Sequence, residues 1–143
     1  MIAVDTNLLV YAHREDSPFH ARAVACIASL AEGRASWAIP WPSLHEFYAI
    51  VTHPRIYGPP TPEDAALDQI DAWLESPALL LLAETDRHWP EMRALIGTAR
   101  LAGAQVHDAR IAALCLQHDV HVLWTADRDF SRFPRLSVLN PLV

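Results

Sequence analysis

The chain has 143 residues, of which 52% are hydrophobic and 20% charged, so a disordered protein is excluded and a compact globular one is expected. Its net charge of −6 argues mildly against an adhesive nucleic-acid binder, which is usually basic, but not against an enzyme that acts on nucleic acid. The apolar runs are too short to span a bilayer, and Met1 leads straight into a strand. We therefore expect one domain over residues 1–143, cytoplasmic and without membrane association.

Short apolar runs with strand character alternate with stretches of helical periodicity along the chain. Strands are predicted over residues 2–4, 35–40, 78–83 and 121–124, with a short last strand at 137–139. Helices are predicted over residues 8–13, 18–32, 44–52, 62–74, 86–99 and 108–118, with a helical turn at 127–133. We expect Ser17, Thr61 and Thr85 to cap the helices that they precede. The alternation predicts an α/β fold with a parallel sheet of four to five strands, covered by helices on both faces.

The first strand ends abruptly in an acid, a hydroxyl and an amide, which are Asp5, Thr6 and Asn7. Open α/β sheets bind ligands at the carboxyl ends of their strands, so Asp5 lies where such a sheet carries out chemistry. An alternative is that Asp5 or Thr6 only caps the following helix, because both residue types are good N-caps. This segment alone leaves the two interpretations open.

Two further acids lie on apolar faces of predicted helices. Glu46 is followed at helical spacing by Ala49 and Ile50, so its side chain leans inward, where an isolated carboxylate is costly to bury. Asp108 lies in the first turn of its helix, on a face that is otherwise apolar. The alternatives are structural. The stem of Glu46 would cover apolar surface while its carboxylate pairs with Arg55, and Asp108 would interact with the helix dipole.

Another pair of acids follows the strand that ends at Trp124. Thr125, Asp127 and Asp129 repeat the order seen after the first strand, an apolar run followed by a hydroxyl and an acid. This order is typical of a ligand site at a strand end. It is equally typical of a Thr or Asp that caps a short helix.

These acids become more informative if they share one site. Carboxylates do not crowd together as bare anions in a dry site, because like charges raise one another's pKa. They do crowd around hard divalent cations such as Mg²⁺ and Mn²⁺, which prefer oxygen ligands and retain water. The chemistry that suits such a site best is phosphodiester hydrolysis by an activated water. The chain has no Gly-rich phosphate loop, which argues against nucleoside triphosphate binding.

The order and spacing of these motifs resemble the PIN domain over almost the whole chain. The matching segments are Asp5-Thr6-Asn7, Glu46, His107-Asp108-Ala109 and Thr125-Ala126-Asp127-Arg128-Asp129-Phe130. More narrowly, the chain resembles the VapC toxins of bacterial toxin–antitoxin pairs. Their mycobacterial branch is matched by His53-Pro54-Arg55 with the Pro-rich loop after it, and by the tail from Arg132 to Leu142.

This resemblance implies a fold, an activity and partners. The fold would be a three-layer α/β/α sandwich around a parallel sheet. The activity would be that of a Mg²⁺- or Mn²⁺-dependent endoribonuclease, the toxin of a type II toxin–antitoxin pair. The partners would be an RNA substrate, a VapB-type antitoxin and a second copy of the chain in a homodimer.

The resemblance also assigns roles to residues. The metal ligands and catalytic acids of the family correspond to Asp5, Glu46, Asp108 and Asp127, and Asp129 matches a further acid whose role varies. Polar residues that position the acids or a bound water correspond to Thr6, Asn7 and Thr125. Asn7 stands in the first motif in place of a third acid, a departure that is common in the family.

Other residue types admit both a functional and a structural interpretation. The five tryptophans mostly fall on apolar faces, which favours core packing, while Trp41 between two prolines near Glu46 could instead stack on an RNA base. The candidates for phosphate contact are Arg55, Arg100, Arg110 and Arg128. Each of these arginines could equally be a solvated surface charge.

Two other functions compete with a metal-dependent ribonuclease. One is a non-catalytic PIN-like module that binds RNA or protein, and the intact set of acids argues against it. The other is a phosphatase with Asp5 as covalent nucleophile. Such an enzyme usually needs a second acid two residues further on, and Asn7 occupies that position.

Overall fold

A parallel sheet with its first strand at the centre organises the fold of this computed structural model, which describes residues 1–143. The strands are β1 (Ile2–Val4), β2 (Trp37–Pro40), β3 (Leu79–Leu82), β4 (Val122–Trp124) and β5 (Val138–Leu139). Their spatial order is β3-β2-β1-β4-β5, and every neighbouring pair is parallel, which confirms the predicted sheet. The chain builds outward from β1 to one edge and then returns to build the other side. The switch point of the topology therefore lies between β1 and β4.

The strands alternate with helices, as predicted. The helices are α1 (Thr6–His13), α2 (His20–Ala31), α3 (Trp41–Val51), α4 (Glu63–Leu74), α5 (His88–Ala99) and α6 (Val106–Gln117). Single 3₁₀ turns span Gly103–Gln105 and Arg128–Arg132. No helix is long and apolar enough to cross a membrane.

Side-chain alternation along the strands divides the core into two layers, one on each face of the sheet. In β1, Ala3 belongs to the cluster formed with α5, α6 and the Arg128–Arg132 turn, whereas Val4 belongs to the cluster formed with α1 to α4. In β2, Ala38 belongs to the first cluster and Trp37 to the second. Because successive side chains of a strand point to opposite faces, both layers are supported by the same two strands. The arrangement is the expected helix–sheet–helix sandwich.

Three helices are not capped by the residues predicted to cap them, and each begins after its predicted start. The Ser17 hydroxyl accepts a hydrogen bond from a backbone N–H two residues on, and α2 starts only at His20. The Thr85 hydroxyl donates to Gln117 Oε1 at 2.8 Å, and α5 starts at His88. Thr61 is buried, with its hydroxyl 3.2 Å from a ring nitrogen of His13, and does not cap α4. Each hydroxyl has a partner other than the first turn of its helix.

The tryptophans divide between core and surface. Trp37 and Trp73 are buried and Trp124 is partly buried, as predicted for core packing. Trp89 is 64% exposed and Trp41 is 38% exposed, so the prediction of core packing is wrong for these two. Both lie in the first turn of a helix, α5 and α3 respectively, at the margin of the layer that the helix helps to form.

The predicted buried strand at residues 78–83 is an edge strand instead. β3 pairs only with β2, and Leu80 in its middle is 47% exposed. Four successive leucines indicate burial on both faces, but the sheet ends at this strand and one of its faces is only partly covered.

The layer of α1 to α4 depends on a large aromatic side chain of α3. Phe47 is fully buried, with its ring 4.8 Å from that of Trp73 in an edge-to-face arrangement. We expect Phe47→Ala to lower the free energy of unfolding by about 3–5 kcal/mol, measured by urea denaturation. Phe19→Ala is the matched control, since Phe19 is 40% exposed, and it should cost less than about 1 kcal/mol. Equal losses in the two variants would contradict this account of the core.

Candidate active site

The carboxyl ends of β1 and β4 place Asp5 and Thr125 side by side at the switch point of the sheet. The Asp5 N–H donates to the carbonyl oxygen of Trp124 at 3.0 Å, which extends the ladder beyond β1. The Thr125 N–H donates in the same way to the carbonyl oxygen of Leu139 at 3.0 Å. The backbone of both residues is therefore fixed by the sheet, and their side chains enter the crevice where such folds bind ligands.

The Thr125 hydroxyl is the centre of a hydrogen-bond network. It donates to Asp5 Oδ2 at 2.8 Å and accepts from Asn7 Nδ2 and from the Asp127 N–H, both at 3.0 Å. Asn7 Nδ2 also lies 3.3 Å from Asp5 Oδ2, and Asn7 Oδ1 accepts from the Ala126 N–H at 3.1 Å. The Asn7 amide and the Thr125 hydroxyl together hold Asp5 against the segment after β4, which carries Asp127 and Asp129.

Asp5 has both of the roles that its sequence left open, the helix cap and the buried acid at a strand end. Its Oδ1 accepts from the Thr6 N–H at 2.8 Å, so Asp5 is the N-cap of α1. Its Oδ2 accepts the hydrogen bond of Thr125 and is close enough to Glu46 and Asp127 to be affected by their charges. Asp5 is only 5% exposed, and one carboxylate thus both starts a helix and supplies a buried negative charge.

Glu46 reaches the same place from α3. The Thr6 hydroxyl donates to Glu46 Oε2 at 2.8 Å, so the residue next to Asp5 orients the second acid. The predicted alternative partner, Arg55, is exposed in the loop after α3 and makes no ion pair with Glu46. Glu46 therefore belongs to the acid cluster rather than to a surface ion pair.

The remaining three acids lie together. Carboxylate oxygens of Asp108, Asp127 and Asp129 are within 4.8 Å of one another. Asp127 Oδ1 accepts from the Asp129 N–H at 2.8 Å, which starts the 3₁₀ turn and fixes the spacing of the two acids. Arg132 Nη2 lies 3.7 Å from Asp129 Oδ1. Arg132 is a charged residue of this site that none of the sequence motifs indicates; the signal for the pair is its position three residues after Asp129 in a helical turn.

The electrostatics of the site reflect burial and crowding. Burial raises the pKa of Asp5 to about 6, and the charges of Glu46 and Asp127 add to the effect, while the bonds from Thr125 and Thr6 oppose it. Burial also raises the pKa of Asp108, with a further contribution from the charge of Asp127. Carboxylates from four parts of the chain thus influence one another through short distances and low solvation.

The donor set suits a hard divalent cation. Ligand oxygens at about 2.0–2.1 Å from one Mg²⁺ are separated by about 3–4 Å, close to the spacing of Asp108, Asp127 and Asp129. A divalent charge would also favour the ionised form of buried Asp5, which burial alone disfavours. All contributing side-chain atoms are oxygens, which fits Mg²⁺ or Mn²⁺ better than a thiolate- or imidazole-preferring metal.

The four candidate arginines differ in their relation to the site. Arg128 lines a cleft together with Thr125 and Asp127, and Arg110 lies 4.0 Å from Glu84 at the end of β3. Arg55 and Arg100 are exposed and make no hydrogen bond or ion pair with the acids. Two of the four are thus close to the carboxyl edge of the sheet.

Comparison with known proteins agrees with this arrangement. A family model described as PIN domain matches residues 2–136. The VapC ribonuclease Mb2897 of Mycobacterium bovis is 37% identical over 142 residues, which cover 99% of this chain and 96% of the relative. The chain belongs to the PIN domain family, among the VapC proteins. The resemblance seen in the sequence motifs is thereby confirmed.

Solved structures that contain VapC proteins share the fold. VapBC-1 from nontypeable Haemophilus influenzae aligns with a TM-score of 0.72 at 16% identity and covers 100% of both chains. VapBC2 from Rickettsia felis, bound to a DNA fragment from its promoter, aligns with a TM-score of 0.69 at 20% identity and covers 98% of both chains. These similarities confirm the α/β architecture that the alternation of strands and helices predicts.

The buried charge of Asp5 predicts a pH-dependent stability in the metal-free protein. The pKa of Asp5 in the folded state is about 6, above the ordinary value of 3.8 for an aspartate. Between pH 4 and 6 the folded state therefore binds more protons than the unfolded state, and stability falls as the pH rises. Asp5→Asn removes this cost. We expect it to raise the free energy of unfolding at pH 8 by on the order of 1–3 kcal/mol, a gain that disappears near pH 4.

Urea unfolding in the presence of a chelator measures this effect at several pH values. Asp71→Asn, which changes an exposed carboxylate of α4, is the matched control and should leave the stability unchanged at each pH. A gain for Asp5→Asn that is the same at pH 4 and pH 8 would contradict the assignment to ionisation.

Proposed function

We propose that this chain is a metal-dependent endoribonuclease, the toxin of a type II toxin–antitoxin pair. The observation that carries the proposal is the convergence of acids from β1, α3, α6 and the Arg128–Arg132 turn on one crevice, linked by Thr6, Asn7 and Thr125. The similarity to a relative named a VapC ribonuclease supports RNA as the substrate. A cluster of oxygen ligands beside a cleft suits phosphodiester hydrolysis.

The acids would hold Mg²⁺ or Mn²⁺. The proposed ligands and catalytic acids are Asp5, Glu46, Asp108 and Asp127, with Asp129 as a further ligand. When bound, the cation supplies activation of a water nucleophile and neutralisation of the charge that develops on the phosphate. The chain's own contribution is to hold these carboxylates close together, oriented and partly shielded from solvent.

Three polar side chains would preserve that orientation during the reaction. The Thr6 hydroxyl fixes one oxygen of Glu46, and the Thr125 hydroxyl fixes one oxygen of Asp5, each at 2.8 Å. Asn7 bridges Thr125 and the Ala126 N–H, which ties the β4 segment to α1. Because these residues touch the acids and not the substrate, they are positioning residues.

The substrate would be single-stranded or looped RNA. Unpaired bases can be splayed into a cleft beside a flat sheet edge, whereas the bases of a duplex are stacked and inaccessible. Of the four candidate arginines, Arg110 and Arg128 lie near this edge, and Arg132 lies 3.7 Å from Asp129; these three arginines would contact phosphates. Water would attack the phosphorus and the bond to the ribose 3′-oxygen would break, so the product ends would be a 5′-phosphate and a 3′-hydroxyl.

A VapB-type antitoxin would control the enzyme, and the chain would act as a homodimer. Solved structures with the same fold are VapBC complexes, which supports an antitoxin partner. A crowded set of carboxylates attracts cationic groups, so a basic side chain of the antitoxin is the natural competitor for the crevice. Free enzyme in the cell would then cleave RNA until the antitoxin binds.

The two competing functions are less well supported. A covalent phosphatase needs an acid at position 7, but Asn7 stands there and both ends of its amide are bound to the site. A non-catalytic module would have no use for a hydroxyl network that holds buried carboxylates in an electrostatically costly arrangement.

Cleavage of RNA by the purified protein should require a divalent metal and Asp5. We expect Mg²⁺ or Mn²⁺ to support cleavage, EDTA to abolish it, and Asp5→Asn to lower the rate by at least about 10²-fold because a ligand is lost. Thr125→Val should lower it by about 10–100-fold through misorientation of Asp5. Asp71→Asn is the control that should retain the wild-type rate. Gel analysis and mapping of product ends give the readout.

Two results would overturn the mechanism. Cleavage that persists in EDTA would exclude a metal requirement. Ends that carry a 2′,3′-cyclic phosphate would show attack by the ribose 2′-hydroxyl instead of water.

Expression of the chain alone should be harmful to the host cell. We expect induced wild-type chain to stop growth, Asp5→Asn to be tolerated, and co-expression of a small antitoxin to restore growth and co-purify with the chain. The physical reason is that the crevice is open to RNA until a partner fills it. Harmless high-level expression of the folded wild-type chain alone would count against the toxin assignment.

A further inference from the structure

A second cavity lies at the same edge of the sheet as the acids. It has a volume of about 170 Å³, and its lining includes Trp41, Leu82, Glu84, Arg110 and Leu114. We call it the base pocket, because we propose that it binds a single unpaired nucleobase, guanine, of the RNA strand whose phosphate is cleaved at the acids. This inference rests on the proposed ribonuclease function.

The register of the sheet sets the position of the base pocket relative to the acids. Pro40 of β2 pairs with Leu82 of β3, so Trp41 and Glu84 leave neighbouring strands at one edge. β2 pairs with β1 in parallel, which puts Asp5 at that same edge. Neighbouring strands are about 4.8 Å apart, so the base pocket lies one to two strand spacings from the acids. That is on the scale of one nucleotide.

The volume of the base pocket suits one heterocyclic base. At about 30 Å³ for each water in the liquid, it has room for five or six water molecules. Pockets for larger organic ligands start at about 300 Å³. A whole nucleotide would therefore have to leave its sugar and phosphate outside, and the acids lie where the phosphate would be.

Trp41 supplies a stacking surface in the base pocket. Its side chain is 38% exposed, at the N-terminus of α3 directly after β2, and its ring packs at 6.2 Å against that of His45. Leu82 and Leu114 provide apolar walls. An exposed aromatic ring next to apolar walls is the arrangement on which proteins stack unpaired bases.

Glu84 and Arg110 supply the polar edge. Glu84 Oε1 lies 4.0 Å from Arg110 Nη2 and 3.8 Å from His88 Nε2, whereas Oε2 has no partner. Both side chains are partly exposed, so a ligand can reach them. The carboxylate of Glu84 only accepts hydrogen bonds, and the guanidinium of Arg110 only donates them. A base that fits both has adjacent donors for Glu84 and a neighbouring acceptor for Arg110.

Guanine fits this requirement best among the four bases. Its Watson–Crick edge carries two adjacent donors, N1–H and the exocyclic amine, and its O6 and N7 accept from arginine. Adenine and cytosine place a ring acceptor next to their amine, which would face the carboxylate unfavourably. Uracil has a single donor between two carbonyl oxygens.

Binding of short RNAs to the Asp5→Asn variant tests the proposal without cleavage. The probes are oligouridines that carry one guanine, inosine, adenine or cytosine, with fluorescence anisotropy as readout. We expect guanine to bind tightest, inosine several-fold more weakly because it lacks the amine, and adenine and cytosine about 10-fold more weakly. Equal affinities for the four probes would overturn the proposal.

Added substitutions in this background separate stacking from base reading. Trp41→Ala should weaken binding of every probe by about 10-fold, while Trp41→Phe should retain most of the affinity. Trp89→Ala removes the other highly exposed tryptophan, on α5, and should change nothing. Glu84→Gln should reduce the preference for guanine over adenine. Equal effects of Trp41→Ala and Trp89→Ala would overturn the role of Trp41.

Cleavage of a randomised RNA pool by the wild-type chain distinguishes failure of this inference from failure of the proposed function. Metal-dependent cleavage with guanine enriched next to the cut supports both. Metal-dependent cleavage without base preference overturns the base pocket and leaves the ribonuclease assignment standing. Guanine-selective binding without cleavage supports the base pocket and contradicts the ribonuclease assignment, and absence of both cleavage and binding overturns both.

Discussion

The burial of carboxylates that also repel one another is the constraint on which the rest of this structure depends. Acids from four parts of the chain meet at the crevice between β1 and β4, and the most buried of them, Asp5, has its pKa raised to about 6. The fold tolerates this because hydroxyl and amide groups occupy specific carboxylate oxygens. The Thr6 hydroxyl donates a hydrogen bond to Glu46, and the Thr125 hydroxyl donates one to Asp5. These bonds fix the orientation of both carboxylates. Structural stability and readiness for a cation therefore oppose each other at Asp5.

The parallel sheet brings these acids together at its edge while both of its faces remain packed against helices. β1 has three residues, yet both of its faces contribute to a packed layer, and its end carries the first acid. The edge that holds the acids continues along β2 and β3 to Trp41 and Glu84. A single edge thus carries the carboxylates and, one or two strands away, an exposed aromatic ring and a pair of charged side chains. The same backbone ladder sets the spacing of the two regions.

The sequence is informative about strands, their direction and the acids at their ends, because short apolar runs and abrupt polar ends are local signals. It is less informative where a hydroxyl chooses among distant partners. Thr85 is at a sequence position typical of a helix cap, but its hydroxyl donates a hydrogen bond to Gln117 on α6. Trp89 has the spacing of a core residue, but it lies in the first turn of α5 and is exposed. Arg132 lies near Asp129 because of a helical turn, and Glu84 lies near Arg110, which is remote in the chain. A role for either residue follows only from these contacts.

The hydrogen bond between Thr125 and Asp5 joins residues that are 120 positions apart in the chain. During synthesis β1 leaves the ribosome before β4, the strand that completes the crevice. Contacts of such long sequence separation form late in folding, after the local helices. A nascent or prematurely terminated chain that lacks β4 has Asp5 and Glu46 but neither Thr125 nor Asp127. Under the proposed function, a ribosome that makes this protein is therefore exposed to an active nuclease only after β4 and the segment that follows it have been synthesised.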